Sequence, residues 1–290
     1  MDIFDKKTLN DGHQIPTIGM GTDKILDQEI MDCVVEEGFA LGYRHIDTAD
    51  WYQNESLVGS AITNCGLSRE EIFITTKLNN PHQGYFTAKD ACKRSLDRLK
   101  TDYIDLYMIH WPGLDTKNTK NRLDSYRALL EMQQEGLIRS VGVCNFQKRH
   151  IEELVREFGV APAVNQIERH PWQIQREMIQ VNHEYGVHTE AWAPLMRGRL
   201  PEVQGLAQIA QKYGKSLEQI VLRWNLQSGV GFIPKTSKPA RLRENADIFD
   251  FSLTKDEMRL INEQDQDFRL RYHPDTMDVG FPEPSSSAEQ

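Results

Sequence analysis

The sequence predicts an α/β protein folded as a (β/α)8 barrel, the architecture also called a TIM barrel. Short apolar runs with β character alternate with longer segments whose apolar residues are spaced by three and four, and this alternation recurs eight times. Eight such units in roughly 250 residues fit a closed barrel better than an open doubly wound sheet. The strand candidates lack a sharp alternation of polar and apolar residues, which indicates a sheet covered on both faces.

The predicted elements begin with a small β-hairpin, because Asn10 to Gly12 provide turn chemistry between two short extended runs. This hairpin is expected to close the bottom of the barrel. The eight barrel strands are predicted in the segments 15–22, 44–49, 72–78, 103–110, 139–145, 163–168, 187–193 and 230–235.

Helices are predicted between these strands from the apolar spacing, for example over residues 87–100. Thr87 and Ser216 have the residue type of helix N-caps. Three glycines are expected to end helices before the next strand: Gly136, Gly159 and Gly186.

The whole chain, residues 1–290, is predicted to form one domain. Residues from about 272 to 290 are expected to be a C-terminal loop and tail, since they contribute little to a core. The final stretch, 281-FPEPSSSAEQ-290, is rich in proline and serine and predicts a disordered end.

Composition narrows the class of protein. The net charge of −9 argues against a chain-wide attraction to nucleic acid or to an anionic membrane surface. The N-terminus has no apolar signal-like region, and no run approaches membrane-spanning length. The cysteines are far apart and have no metal-ligand spacing, which predicts reduced thiols in a cytoplasmic protein: Cys33, Cys65, Cys92 and Cys144.

Candidate functional residues lie where the predicted strands end, because active sites of such barrels lie at the C-terminal ends of the strands. Each has an ordinary explanation when taken alone: a strand-end lysine can extend into solvent, and a histidine or tyrosine can pack in a core. Together they are expected to converge at the C-terminal end of the barrel, its mouth: Thr22, Asp47, Tyr52, Lys77, His110, Asn145, Gln166, Trp192 and Lys235.

Four of these side chains combine into a general acid with its supporting groups. An ordinary tyrosine has a pKa of about 10, which is high for proton exchange at neutral pH. A nearby Lys77 ammonium would lower the pKa of Tyr52, and Asp47 would keep a partly buried Lys77 protonated. A neutral His110 could donate an N–H to a substrate oxygen and orient that oxygen toward Tyr52.

Seven strings resemble the aldo-keto reductases in order and spacing, from the N-terminal hairpin to about Phe251. The pattern looks like the shorter bacterial members, such as the 2,5-diketo-D-gluconate reductase group. The strings are 43-YRHIDTADWYQNE-55, 75-TTKL-78, 108-MIHWP-112, 141-VGVCNF-146, 164-VNQIERHP-171, 191-AWAPL-195 and 233-IPKTSKPARLREN-245.

The resemblance implies NADPH-dependent, reversible reduction of aldehydes or ketones to alcohols, on a barrel that binds the cofactor without a Rossmann domain. It implies that Tyr52 is the acid of a catalytic tetrad completed by Asp47, Lys77 and His110. The implied cofactor contacts are Gly21, Thr22, Asp47, Cys144, Asn145, Gln166, Trp192, Pro194, Leu195, Lys235, Thr236, Ser237, Arg241, Glu244 and Asn245.

Within this set the resemblance assigns parts of the cofactor. The aromatic ring of Trp192 would stack on the nicotinamide, whose carboxamide would contact Asn145 and Gln166. The segment 235–241 would surround the adenosine 2′-phosphate, and Glu244 with Asn245 would reach the adenine. Without the resemblance, the cations of this segment would be interpreted as a solvated helix face.

The chain departs from the family pattern at two positions. Cys144 stands where serine is usual, and a thiol is the weaker hydrogen-bond partner. Asp23 stands where an aromatic is common: it is either a rim carboxylate that repels acidic substrates or a solvent-facing loop residue. The expected substrate contacts are His110, Trp51, Trp111 and Asp23.

Two other functions remain open from the sequence. One is a catalytically weak relative that binds nucleotide as a sensor or subunit. The other is a metal-dependent hydrolase on the same barrel, for which the ligands would come from His45, Asp47, His110, His170 and Asp265. The reductase is favoured, with no metal, a small carbonyl compound as substrate, and a monomeric state.

Overall fold

The structure is a computed structural model that describes residues 2–281, and its strands form two sheets. The first sheet is an antiparallel hairpin of β1 (Lys6–Thr8) and β2 (Gln14–Pro16). The second is a parallel sheet of eight strands that pair in chain order: β3 (Met20–Gly21), β4 (His45–Asp47), β5 (Phe73–Leu78), β6 (Ile104–Ile109), β7 (Ile138–Cys144), β8 (Val164–Glu168), β9 (His188–Trp192) and β10 (Gly231–Phe232).

Helices connect successive strands of the parallel sheet and pack against it. Between β9 and β10 there are two helices, and two more follow β10. The helices are α1 (Gln28–Leu41), α2 (Glu55–Asn64), α3 (Tyr85–Leu99), α4 (Asp115–Gln134), α5 (Lys148–Phe158), α6 (Arg176–Glu184), α7 (Leu206–Tyr213), α8 (Leu217–Gln227), α9 (Pro239–Ala246) and α10 (Lys255–Asn262).

The parallel sheet closes on itself between its first and last strands. Parallel bridges join Ile18 to Phe232 and Gly21 to Lys235, and the backbone N–H of Gly19 donates to the carbonyl of Phe232 at 2.9 Å. The predicted (β/α)8 barrel is thereby confirmed. Because all eight strands are parallel, their C-terminal ends lie at the same end of the barrel.

The hairpin covers the opposite end, as predicted. Leu9 and Ile15 are buried in one apolar cluster with Phe73, Leu106 and Met108. Phe73 is the first residue of β5, so this cluster lies at the N-terminal ends of the strands. The hairpin therefore fills the bottom of the barrel with apolar side chains.

Two boundary predictions were wrong. The segment 15–22, predicted as one strand, contains the end of β2 and the whole of β3, because the chain leaves the hairpin at Pro16 before it enters the barrel. Thr87 is not an N-cap, since α3 already begins at Tyr85 after Gly84, whose φ of 130° is easily reached only by glycine.

The other predicted helix signals are confirmed. Ser216 caps α8 and forms a capping box with Gln219. Three glycines have the left-handed backbone that ends helices, with φ between 68° and 78°: Gly136, Gly159 and Gly186.

The C-terminal segment 263–281 has no helix or strand and is held to the barrel by side chains. Leu270 donates its backbone N–H to Glu168 at 2.6 Å, and Arg149 forms an ion pair with Asp275 at 2.7 Å. The predicted disordered end falls mainly on residues 282–290, which lie outside the described part of the chain. No helix between residues 2 and 281 is long and apolar enough to span a bilayer.

Candidate active site

A cavity of about 620 Å³ opens at the C-terminal ends of the barrel strands. It brings together residues from seven of the eight predicted strand ends and from the C-terminal segment. Predicted site residues that line it are Gly21, Thr22, Asp23, Asp47, Trp51, Tyr52, His110, Trp111, Cys144, Asn145, Gln166, Trp192, Pro194, Leu195 and Lys235.

Lys77 lies beneath this cavity, fully buried on β5, and forms an ion pair with Asp47 of β4. Its Nζ donates to both carboxylate oxygens of Asp47 at 2.7 Å and to the carbonyl of Thr48 at 3.0 Å. Burial is the largest single influence on the pKa of Lys77 and lowers it, but Asp47, with smaller contributions from Tyr52 and Cys144, more than offsets burial and raises the pKa. The lysine therefore stays an ammonium at neutral pH.

Tyr52 packs over this ion pair, with Lys77 Nζ 5.2 Å from the centre of its ring. Burial raises the pKa of Tyr52, and the Lys77 ammonium offsets only part of that increase. The expectation that Tyr52 would be more acidic than an ordinary tyrosine was therefore wrong for the net pKa. The consequence is a phenol that remains fully protonated at neutral pH and available as a proton donor.

The loop that carries Tyr52 is fixed on both sides. Before it, the Asp50 carboxylate accepts from Arg98 at 2.7 Å. After it, Asn54 accepts from the hydroxyl of Thr48 at 2.8 Å and donates to the carbonyl of Thr22 at 2.8 Å. These contacts explain how a short 3₁₀ turn at residues 50–52 can present a phenol reproducibly at the mouth.

His110 follows β6 and faces the ring of Tyr52 edge-on, with the ring centres 5.9 Å apart. Burial, together with Lys77, holds the pKa of His110 well below its usual range, so the ring is neutral. Its Nδ1 is buried and has no hydrogen-bond partner among the described residues. A neutral imidazole beside a phenol can donate one N–H to a carbonyl oxygen in the cavity.

Asn145 and Trp192 form one wall of the cavity. Trp192 Nε1 donates to Oδ1 of Asn145 at 2.9 Å, and Asn145 Nδ2 donates to the carbonyl of His110 at 3.1 Å. Asn145 has a left-handed backbone with φ 64°, which asparagine tolerates better than most residues. The indole remains half-buried, with its ring available to stack on a flat ligand.

Gln166 and Cys144 are direct neighbours on β8 and β7. The Gln166 amide nitrogen donates to Asp47 at 2.8 Å, and the Gln166 amide oxygen accepts from the Cys144 thiol at 3.7 Å. A thiol is a weak donor, so the amide oxygen retains capacity to accept a stronger hydrogen bond. This wall therefore fits a ligand that carries a carboxamide.

The predicted adenosine contacts, apart from Lys235, lie beyond the cavity, just before and within α9. Thr236 and Ser237 precede this helix, Arg241 is in its first turn, and Glu244 and Asn245 are in its last turn. Asn245 is buried, and its amide nitrogen has no hydrogen-bond partner in the described part of the chain. The unpaired donor of Asn245, with the exposed cation Arg241 on the same helix, fits a phosphorylated nucleoside.

Sequence reasoning missed two arginines at the cavity rim, Arg197 and Arg271. Burial lowers the pKa of Arg197 and Arg271 lowers it further, while Asp23 opposes both. With Lys24 and Lys235 at the same rim, these cations outnumber Asp23. Asp23 lines the cavity as the predicted rim carboxylate, and because cations outnumber it there we expect less repulsion of acidic substrates than Asp23 alone would cause. For Arg271 the run 269-RLRY-272 was the available signal, but its position depends on how the tail folds back.

The side chains proposed for a metal site are used elsewhere. His170 contacts Glu168 at 3.0 Å, and Asp265 accepts from the backbone of Ile174 at 3.2 Å. Among residues 2–281 no group of three His, Cys, Asp or Glu side chains could hold a metal ion. The arrangement of donors therefore does not favour the hydrolase.

A barrel whose mouth joins a protonated phenol, a buried ammonium and a neutral imidazole defines an oxidoreductase that acts on carbonyl groups. Comparison with known proteins agrees: the model of the "Aldo/keto reductase family" matches residues 17–266. The chain belongs to the aldo/keto reductase family, as predicted.

Individual relatives match over nearly their whole length. The glyoxal reductase of Bacillus subtilis (strain 168) is 44% identical over 94% of this chain and 97% of its own. The methylglyoxal reductase DkgA of Escherichia coli (strain K12) is 42% identical over 92% and 96%. A crystal structure of a Gox0644 mutant in complex with NADPH has a TM-score of 0.88 at 37% identity, covering 94% of this chain and 98% of that one.

Proposed function

We propose that this chain reduces small dicarbonyl compounds, such as glyoxal and methylglyoxal, with Tyr52 as the proton donor. NADPH is the reductant, and when bound it supplies a hydride to the carbonyl carbon. The observation that carries the proposal is the position of a protonated Tyr52 over the buried Lys77–Asp47 pair, at the base of a cavity of about 620 Å³.

Each residue of this group has a proposed role. His110 donates an N–H to the carbonyl oxygen and orients it toward the Tyr52 hydroxyl. As negative charge develops on that oxygen, Tyr52 transfers its proton, and the Lys77 ammonium stabilises the phenolate that remains. Asp47 touches no substrate in this scheme: it keeps Lys77 charged and in place.

The wall residues are proposed to hold the cofactor. Trp192 stacks on the nicotinamide, while Asn145 and Gln166 contact its carboxamide. The adenosine end extends toward α9, where Lys235 and Arg241 meet the 2′-phosphate. Trp51 and Trp111 wall the remaining space, which suits a compact substrate. The glyoxal and methylglyoxal reductases among the relatives support this substrate class.

The proposed function is tested by following nicotinamide absorbance while purified protein is mixed with NADPH and methylglyoxal, glyoxal or a keto-sugar. Turnover is expected with the two dicarbonyls. Tight NADPH binding without turnover of any carbonyl would instead indicate the catalytically weak nucleotide-binding relative.

Arg241→Ala is expected to narrow the preference for NADPH over NADH by about tenfold, because one charge-assisted hydrogen bond contributes about 1.5–3 kcal/mol. Titration of both cofactors measures the ratio. Arg243→Ala is the matched control, since Arg243 lies on the same helix but pairs with Glu37 at 2.6 Å. An unchanged ratio in Arg241→Ala would place the 2′-phosphate elsewhere.

Arg271→Ala is expected to lower kcat/KM for glyoxylate, an aldehyde that carries a carboxylate, by about three- to fivefold relative to neutral methylglyoxal. The reason is the loss of one exposed cation at the rim. Arg199→Ala serves as control, because Arg199 pairs with Glu202 and does not line the cavity. Equal losses for both substrates would contradict a role in charge selection.

A further inference from the structure

Glu190 is a buried acidic residue that the scheme above does not use. It lies in the middle of β9 with 1% of its surface exposed, and it does not line the mouth cavity. Strand register places it directly beside Gln166 of β8 and Gly231 of β10. An acid in this position needs an explanation, because a buried carboxylate is costly unless it is paired or neutral.

Glu190 is connected to the cavity wall that is proposed to hold the cofactor through the side-chain amide of Gln166. Gln166 Nε2 donates to Glu190 Oε2 at 2.7 Å and to Asp47 Oδ2 at 2.8 Å. Both hydrogens of the amide are thereby used, and two acceptors on the nitrogen side determine which way the amide points. Its oxygen must face the other way, toward Cys144 and the cavity.

The second oxygen of Glu190 faces a histidine that is itself neutral. Glu190 Oε1 lies 3.7 Å from His45 Nδ1, while His45 Nε2 lies 2.9 Å from the hydroxyl of Thr75. Burial, with Lys77 adding to it, lowers the pKa of His45 to about 3. His45 Nδ1 has no hydrogen bond to another described residue, and its 3.7 Å contact with Glu190 Oε1 is longer than a hydrogen bond, so no cationic partner pairs with this oxygen.

We propose that Glu190 is a positioning residue that, as a neutral carboxylic acid, orients the Gln166 amide for the nicotinamide carboxamide. The inference rests on the proposed function, in which Gln166 contacts that group. Its protonation is consistent with the surroundings, since burial and then the Asp47 carboxylate raise the pKa of Glu190 to about 8. A neutral Glu190 leaves the ion pair of Lys77 and Asp47 with no net charge below the cofactor site.

Ionisation of Glu190 would add a negative charge beside this balanced pair. The nicotinamide ring is positively charged in NADP+ and neutral in NADPH, so the added charge favours the oxidised cofactor. The affinity of the protein for NADP+ relative to NADPH should therefore rise as pH increases through about 8. A residue with only a packing role would not produce this dependence.

The other titratable groups of this network keep one protonation state between about pH 6.5 and about pH 9.5. Burial lowers the pKa of His188 to about 4, close to that of His45. Burial raises the pKa of Asp47, but the Lys77 ammonium and the hydrogen bonds from Lys77 and Gln166 oppose that increase and favour the carboxylate. Three further groups have raised pKa values: Cys144 and Tyr52 through burial, and Lys77 because Asp47, Tyr52 and Cys144 together outweigh burial.

Two substitutions test the inference, with NADPH and NADP+ as probes and protein fluorescence as the readout of binding. Glu190→Gln reproduces the neutral acid, since its oxygen can accept from Gln166 and its amide can donate toward His45, but it cannot ionise. Glu190→Leu removes the acceptor and leaves one N–H of Gln166 unpaired. Thermal unfolding of each variant at both pH values checks that it is folded.

In the wild type, the ratio of the dissociation constants of NADPH and NADP+ is expected to rise roughly threefold or more between about pH 6.5 and about pH 9.5. In Glu190→Gln this ratio should stay constant, with NADPH affinity near that of the wild type at the lower pH. Glu190→Leu should bind NADPH about tenfold more weakly, because a buried donor loses its acceptor.

The same pH-dependent ratio in Glu190→Gln as in the wild type would overturn the inference, as would wild-type NADPH affinity in Glu190→Leu. If Glu190→Leu does not fold, Glu190→Gln still decides between the outcomes. If the wild type binds NADPH and reduces methylglyoxal but Glu190→Gln keeps the pH-dependent ratio, the proposed function stands and the inference about Glu190 fails. Wild-type protein that binds no NADPH would overturn both.

Discussion

Tyr52→Phe is expected to lower kcat/KM for methylglyoxal reduction by about 10³-fold, because a positioned general acid contributes about 10²- to 10⁴-fold. The substitution removes one oxygen and keeps the ring that packs 5.2 Å from Lys77 Nζ and edge-on to His110. NADPH affinity should therefore change little. Initial rates from nicotinamide absorbance, with a fluorescence titration of NADPH, measure the two quantities separately.

The matched control is Tyr103→Phe, which removes the same atom from another half-buried tyrosine. Within the described part of the chain, the Tyr103 hydroxyl has only a 3.5 Å hydrogen bond to the carbonyl of Arg69, and Tyr103 does not line the cavity. This variant should keep a rate within about twofold of the wild type. If Tyr52→Phe retained most of the wild-type rate, another group would have to donate the proton.

Lys77→Met is expected to destabilise the fold by about 3–5 kcal/mol, because it leaves the Asp47 carboxylate buried without its counter-charge. The rate of reduction should also fall by several orders of magnitude, since no ammonium remains beside Tyr52 to stabilise its phenolate. Urea unfolding measures the stability. Lys120→Met is the control: Lys120 is 75% exposed and, among residues 2–281, pairs only with Asp124, so this variant should lose at most about 0.5 kcal/mol of stability.

A double variant separates folding from catalysis. Adding Asp47→Asn to Lys77→Met removes the uncompensated charge and should restore part of the lost stability. The rate should remain low, because the lysine is still absent. Recovery of the rate together with the stability would show that the buried pair serves the fold and has no part in proton transfer.

Much of this architecture could be predicted because its causes are local. Apolar spacing identified the strands and helices, and barrel geometry then required the strand ends to converge. Asp47, Lys77 and His110 could therefore be grouped although they lie far apart in the sequence. The resemblance of seven strings supplied the family, which comparison with relatives confirmed.

Other features depend on tertiary contacts that no local pattern contains. The tail that carries Arg271 is placed by distant partners such as Glu168, which binds the backbone of Leu270. The net pKa of Tyr52 depends on how completely the loop buries the phenol, and burial outweighs the lysine. In the sequence, Glu190 is one more polar residue within 187-VHTEAWA-193, and only the register of β8 and β9 places it beside Gln166.

The central claim is that the Tyr52 hydroxyl gives its proton to the carbonyl oxygen as that oxygen gains charge. A solvent deuterium isotope effect on a single turnover tests this claim most directly, with NADPH-loaded protein mixed rapidly with methylglyoxal in H₂O and in D₂O. The wild type is expected to react more slowly in D₂O, and Tyr52→Phe should react far more slowly than the wild type in both solvents. Equal wild-type rates in the two solvents, together with a fast Tyr52→Phe, would contradict it.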